Sequence, residues 1–160
     1  LSAILRNAMS TVKRRTVPLG EEIDMVRSYL QLESMRYEER LRVHFDVDPA
    51  LERHPVPPMM LQTLVENAVR HGIAKLKKGG DVHIGAHAGE NGIVLTVRNT
   101  GHYNKGRSTE VGIGLRNTEQ RLEHLYGRKA SLRIRNEGDM VVCEVHLPLM
   151  DAGVPQEVTE

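Results

Sequence analysis

Tryptophan is absent from this 160-residue chain, phenylalanine occurs once, at Phe45, and aromatic residues make up only 3%. Stacking platforms for single-stranded nucleic acid are therefore missing, and the core must rest on Leu, Val, Ile and Met. Cys143 is the sole cysteine, which excludes an internal disulfide and a cysteine-cluster zinc site and fits a reducing compartment. No apolar run approaches the ~18 residues that a membrane-spanning helix needs, and no signal-peptide pattern opens the chain. Charge of one sign is lacking too. Twenty-two basic residues against 21 acidic ones leave a net charge of +1, which gives no case for nucleic acid or an anionic membrane as partner. What remains, 39% apolar and 27% charged, is the composition of one globular domain with a sizeable core. The chain opens at Leu1 inside a helical pattern, so a piece of a longer protein is expected.

Several catalytic signatures are missing as well. There is no P-loop, no H-E-x-x-H and no nucleophile elbow. The eight histidines are scattered without a convincing ligand spacing, so a histidine zinc site is not expected. Gly112-x-Gly114 follows a polar loop rather than a strand and lacks a third glycine, so it is no dinucleotide fingerprint. There is no internal repeat.

The stretch the chain is organised around runs from Leu61 to Gly72. At ~100° per residue, Leu61, Leu64, Val65, Ala68 and Val69 form one apolar arc. Thr63, Asn67 and His71 follow at i, i+4 and i+8 as a narrow polar stripe beside it, flanked by Arg70. A surface helix places Glu and Lys opposite the core. A hydroxyl, a carboxamide and an imidazole at the edge of a buried face suit a pocket wall, although boundary polars on a core helix would look the same.

Around it the chain reads in order. Leu1, Ile4, Leu5, Ala8, Met9 and Val12 predict a first helix, and Leu19 to Glu39 a second on Leu19, Ile23, Val26, Leu30 and Tyr37. Arg42–Asp48 alternates as a strand with His44 outward. His54–Pro58 is a rigid extended segment with Pro58 at the first helical position of the organising helix, and Gly72 is its C-terminal stop. Asp81–Ala88 and Ile93–Asn99 form a hairpin across Asn91-Gly92. His102–Val111 is a polar loop, and Gly112-Ile113-Gly114-Leu115 opens a helix closed by Gly127. There, small residues can let backbone N–H groups approach a phosphate. Ser131–Asn136 and Met140–Leu147 form a last hairpin, with Cys143 as a small buried hydrophobe. The tail from Asp151 is polar. This order predicts an α+β two-layer sandwich with a mixed, mainly antiparallel sheet and helices on one face.

Three ordered motifs, E-N-A-x-x-H-G on a helix, N-x-G at a strand end and G-x-G-L before a helix, resemble the GHKL (Bergerat) ATP-binding superfamily. Val17-Pro18-Leu19-x-Glu21-Glu22, Tyr29-Leu30-x-Leu32-Glu33-x-x-Arg36-Tyr37, Pro57-Pro58 and Gly112–Leu122 are similar to one branch, the LytS-type sensor histidine kinases. The resemblance spans about residues 17 to 147. It implies a helical segment over 1–39 linking to an upstream dimerisation and phosphoacceptor region, a catalytic domain over 40–150 and a tail over 151–160.

By the same resemblance, Asn67 holds the Mg²⁺ that bridges the ATP phosphates, and Arg70 and His71 lie beside them, with Glu66 next to the metal-binding asparagine. Asn99 stands where an aspartate more often accepts the adenine amine, Gly101 lets adenine approach, and His102–Val111 is the lid. Gly112, Ile113, Gly114 and Leu115 cradle phosphate. ATP then phosphorylates a histidine upstream of this sequence, and a response regulator is the further partner. The parent is expected to be homodimeric, with this domain cytoplasmic and the parent anchored in a bacterial inner membrane. A degenerate regulatory module of the same fold is the alternative, and an anti-sigma-type serine kinase the third reading. Thr63 replaces the glutamate that hydrolytic members use as a base, so ATP hydrolysis is not expected. Tyr103 stands where a second glycine is usual.

Overall fold

The computed structural model describes residues 16–104 and 109–149. The predicted first helix and the tail lie outside the described residues. Strand β1 (Val17–Pro18) leads into helix α1 (Leu19–Tyr37), followed by β2 (Leu41–Val47), β3 (Pro55–Val56), α2 (Met60–His71), β4 (Gly80–Ala88) and β5 (Gly92–Thr100). Helix α3 (Thr109–Tyr126), β6 (Ser131–Glu137) and β7 (Met140–Pro148) complete the described elements.

Five strands form one sheet in the order β2-β4-β5-β7-β6, in which β2 and β4 run parallel and every other pair is antiparallel. The period-two alternation decides the faces. Val82, Ile84 and Ala86 of β4 and Ile93, Leu95 and Val97 of β5 are buried, while His83 and His87 between them are exposed. The helices supply the opposite wall. α1 buries Leu19, Ile23, Val26 and Leu30, and α2 buries Leu61, Leu64, Val65, Ala68 and Val69. This is the predicted two-layer α+β sandwich, with helices on one face. The lone Phe45, on β2, is half-buried under the guanidinium of Arg27, 4.1 Å from its ring centroid.

A second, two-stranded sheet pairs β1 with β3, Val17 opposite Val56 and Pro18 opposite Pro55. The backbone N–H of Leu19 donates to His54 and that of Gly20 to Glu52. These bonds anchor the start of α1 against the segment that delivers the chain to α2.

The approach to α2 differs from the sequence expectation. Pro58 precedes the helix rather than opening it, and Met59 caps it at φ 65, a left-handed conformation unusual for a side chain with a Cβ. The cause lies in α1. Glu22, wholly buried, accepts the N–H of Met59 on its carboxylate, and from α3 Arg121 donates to the carbonyl of Pro58. The Pro58–Met59 turn is thus gripped by two helices, and α2 starts where they place it.

Burial raises the Glu22 carboxyl above its ordinary value of 4.5, against the opposing N–H groups of Met59 and Gln62. The native state therefore favours the protonated form. The stability that Glu22 contributes is full below pH 4.5 and is lost as pH rises through the higher native value. Two outcomes are expected in urea unfolding followed across pH. Glu22→Ala loses about 1–3 kcal/mol, because the Met59 N–H is left without its acceptor. Glu22→Gln keeps an acceptor oxygen and gains on the wild type as pH rises above 4.5. A pH-independent difference between Glu22→Gln and wild type would contradict the assignment.

Helix α3 also begins earlier than expected. The loop predicted to extend to Val111 ends before Thr109, so Gly112 is the fourth residue of the helix and Gly114 the sixth. The unpaired N–H groups of a helix end within its first turn. The N–H of Gly114 therefore lies inside the ladder, and the residue's contribution is space rather than a free donor.

Candidate functional site

Between α2, the end of β5 and α3 lies a cavity of about 310 Å³. Its apolar surface comes from Leu64 and Ala68 on α2, Val97, Ile134, Val141 and Cys143 on the sheet, and Leu115 on α3. Burial, first of all, pushes the Cys143 thiol up to about 12, so it serves as an apolar wall and not as a nucleophile. The carboxamides of Asn67 and Asn99 break this surface. His71, Lys75 and His102 add nitrogen groups around them.

Each amide is held by a glycine's lack of a side chain. The Cβ of an alanine at Gly114 would come 3.1 Å from Asn67 Nδ2. That Nδ2 is buried and has no hydrogen-bond partner among the described residues, a group that costs about 1–3 kcal/mol when left alone. Asn99 is buried, and its Nδ2 donates to the Thr100 carbonyl at 3.0 Å, leaving Oδ1 as its acceptor. A Cβ at Gly72 would lie 2.2 Å from Asn99 Nδ2. Gly72 adopts φ −104, so its requirement is room for Asn99, beyond ending the helix. Gly101 sits at φ +143, where a side chain is strained, and its N–H donates to Asp139 at 2.9 Å.

The segment leaving Gly101 is clamped. Asn136 on β6 accepts the Tyr103 N–H and donates to the Tyr103 carbonyl, both at 2.8 Å. Where a second glycine would have made this hinge pliant, two hydrogen bonds fix it. Asn136→Ala should raise backbone amide exchange of residues 102–104 by about tenfold, one net hydrogen bond's worth; unchanged exchange would rule the clamp out.

Helical geometry separates the predicted residues into two groups. Asn67 and His71, four apart, line the cavity together. Glu66 and Arg70, also four apart, share the neighbouring stripe and line a different groove of about 470 Å³ with Tyr29, Glu33, Arg36 and Tyr37 of α1. There Glu66 accepts from Gln62 at 3.0 Å. Burial, with Glu33 and Glu66 nearby, raises the Tyr29 hydroxyl to about 12. Thr63 lines a third hollow of about 210 Å³ with Gly114, Thr118 and Arg121, and its hydroxyl donates to Met59 at 2.8 Å. Of the phosphate-cradle residues, Gly112 meets nothing within 4 Å of an added Cβ, Ile113 is exposed and Leu115 is buried at the cavity. Lys75, Tyr103 and Asn104 also line it. Lys75 reaches the cavity from the short turn Ile73–Lys75 that directly follows α2, its N–H donating to the Gly72 carbonyl at 3.1 Å.

A histidine kinase family model matches residues 1–41. The sensor protein LytS of Staphylococcus saprophyticus is 35% identical over 159 residues, 91% of this chain and 27% of that protein. Among solved structures, the catalytic domain of histidine kinase ThkA superposes with a TM-score of 0.61 at 17% identity, over 84% of this chain and 95% of that one. Full-length ShkA in complex with AMPPNP matches with a TM-score of 0.61 at 22% identity, over 89% of this chain and 33% of that one.

The fold is the one seen in solved histidine kinase catalytic domains. Over nearly its whole length the chain is similar to LytS-type sensor histidine kinases. The chain spans about a quarter of the length of the curated relatives it matches. No helix among the described residues is long and apolar enough to cross a membrane.

Proposed function

We propose that this chain binds ATP with Mg²⁺ in the cavity of Asn67 and Asn99 and donates the γ-phosphate to a histidine on a separate helical element of its parent kinase. A response regulator would receive the phosphoryl group next. The observation that carries this reading is the pairing of the Asn67 and Asn99 carboxamides, the first with a buried nitrogen that has no partner among the described residues, in a cavity walled by apolar side chains and edged by His71, Lys75 and His102.

The donor set fits the ligands. Asn67 offers one hard oxygen, which suits a cation that keeps phosphate and water as its other ligands, and its unused Nδ2 can donate to a phosphate oxygen. When bound, Mg²⁺ neutralises charge on the phosphates during transfer. Asn99 accepts from the adenine amine through Oδ1, with the base lying against Gly101 and the apolar surface of Val97 and Val141. His71 and Lys75 supply electropositive groups for the phosphates. Thr63, its hydroxyl engaged with Met59, provides no base for water, which favours transfer over hydrolysis. A neutral amide at position 99 lacks the charge assistance of a carboxylate, so adenine is held more weakly than by aspartate.

Isothermal titration with a non-hydrolysable ATP analogue and Mg²⁺ tests the reading directly. One equivalent is expected to bind, with affinity in the micromolar to millimolar range (roughly −8 to −4 kcal/mol). No heat up to millimolar ligand would overturn it. The chain with ATP should also label a supplied upstream helical fragment that carries the phosphoacceptor histidine. Binding without labelling would instead favour a regulatory nucleotide module.

A further inference from the structure

The face of the sheet that no described helix covers holds chemistry that the nucleotide cavity does not use. Strands β2 and β4 run parallel with His44 opposite His83 and Arg42 opposite Asp81. Both histidines and the aspartate therefore project from the same outer face of two hydrogen-bonded strands. The imidazoles of His44 and His83 stack with centroids 4.4 Å apart and planes 14° from parallel. His44 Nε2 lies 2.9 Å from Asp81 Oδ1. One ligand atom from each of the three residues can be chosen so that all lie within 4.8 Å of one another.

We infer that His44, Asp81 and His83 form a binding site for a borderline divalent transition metal such as Zn²⁺, distinct from the Mg²⁺ expected at Asn67. Two imidazoles and a carboxylate are the donors that Zn²⁺ and its first-row neighbours favour, whereas Mg²⁺ prefers oxygen alone. The spacing agrees. Ligand atoms bound about 2.1 Å from a tetrahedral zinc lie roughly 3.4 Å apart, and the His44–Asp81 pair is already at 2.9 Å. A zinc ion would take the place of the proton that now joins them.

The backbone supports the site. β4 is paired on both sides, by β2 and by β5, so Asp81 and His83 are fixed in register. The N–H of Asp81 donates to Thr100 Oγ1 at 3.0 Å. Arg42 reaches both carboxylate oxygens, at 3.2 and 3.3 Å, and keeps the plane of Asp81 set. His44 is about half exposed and Asp81 a third, so water can complete the coordination. The nearby Arg42 guanidinium opposes a cation and sets the affinity below that of a closed structural zinc site.

Bound metal would tie β2 to β4 and stabilise the fold in proportion to its occupancy. The test is thermal unfolding and equilibrium titration of the whole chain with ZnCl₂, in excess Mg²⁺. One equivalent of Zn²⁺ should bind and raise Tm. His83→Ala and Asp81→Asn should each weaken binding at least about tenfold, while His146→Ala, on the same face but outside the cluster, leaves it unchanged. Co²⁺ should give visible d–d absorption in wild type that His44→Ala loses. These side chains are at the surface, and unchanged circular dichroism will show that the variants fold. Absence of a Zn²⁺-dependent Tm shift would overturn the proposal, as would binding that survives His83→Ala and Asp81→Asn.

Discussion

Asn67→Ala is expected to remove Mg²⁺-dependent nucleotide binding, with an affinity loss on the order of 100-fold or more. The substitution deletes both the oxygen that would hold the cation and the nitrogen that has no partner among the described residues. Stability should move in the opposite direction or not at all, because an unsatisfied buried group disappears with the side chain. That split between lost binding and retained stability separates a ligand-facing amide from a structural one. Titration with the nucleotide analogue, with Mg²⁺ and then with EDTA, gives the binding term, and urea unfolding gives the other. Equal affinity for Asn67→Ala and wild type would remove the metal role.

Gly72→Ala should damage both at once. The new methyl would stand 2.2 Å from Asn99 Nδ2 and 2.5 Å from the Ala68 carbonyl oxygen, neither of which is attainable. Either the end of α2 or the Asn99 side chain must shift, and Asn99 is bonded to the Thr100 carbonyl on a central strand. The expected cost is about 1–3 kcal/mol of stability. Nucleotide affinity should fall about tenfold or more, since the displaced amide is the adenine acceptor. A folded variant with unchanged affinity would show that the position of Asn99 does not matter to the ligand.

The two substitutions probe the site from opposite sides. Asn67 acts through what it offers the ligand, Gly72 through what it leaves out. Only the first role was visible in the chain. An asparagine in a polar stripe beside an apolar arc follows from residue spacing on a helix, whatever the helix packs against. The glycine after it reads as a helix terminator because that is the local meaning of glycine there. Its second role arises from a strand more than twenty residues later.

The same boundary runs through the rest of the molecule. Local periodicity and turn chemistry determined the helices around Leu30 and Leu64, the hairpins at Asn91-Gly92 and Gly138, and the α+β class. These patterns depend on neighbours within a turn or a strand, and the residues that carry them are contiguous. Tertiary structure decided what depended on distant partners. Glu22, buried on α1, and Arg121 of α3 shaped the Pro58–Met59 turn and so set the start of α2. Packing of α1 on α2 turned Glu66 and Arg70 toward a separate groove, leaving Asn67 and His71 at the cavity. The parallel register of β2 and β4 brought His44 beside His83, where spacing along the chain had suggested scattered surface histidines. Register and helix contacts are long-range choices among faces, and no interval in the sequence records which face meets which.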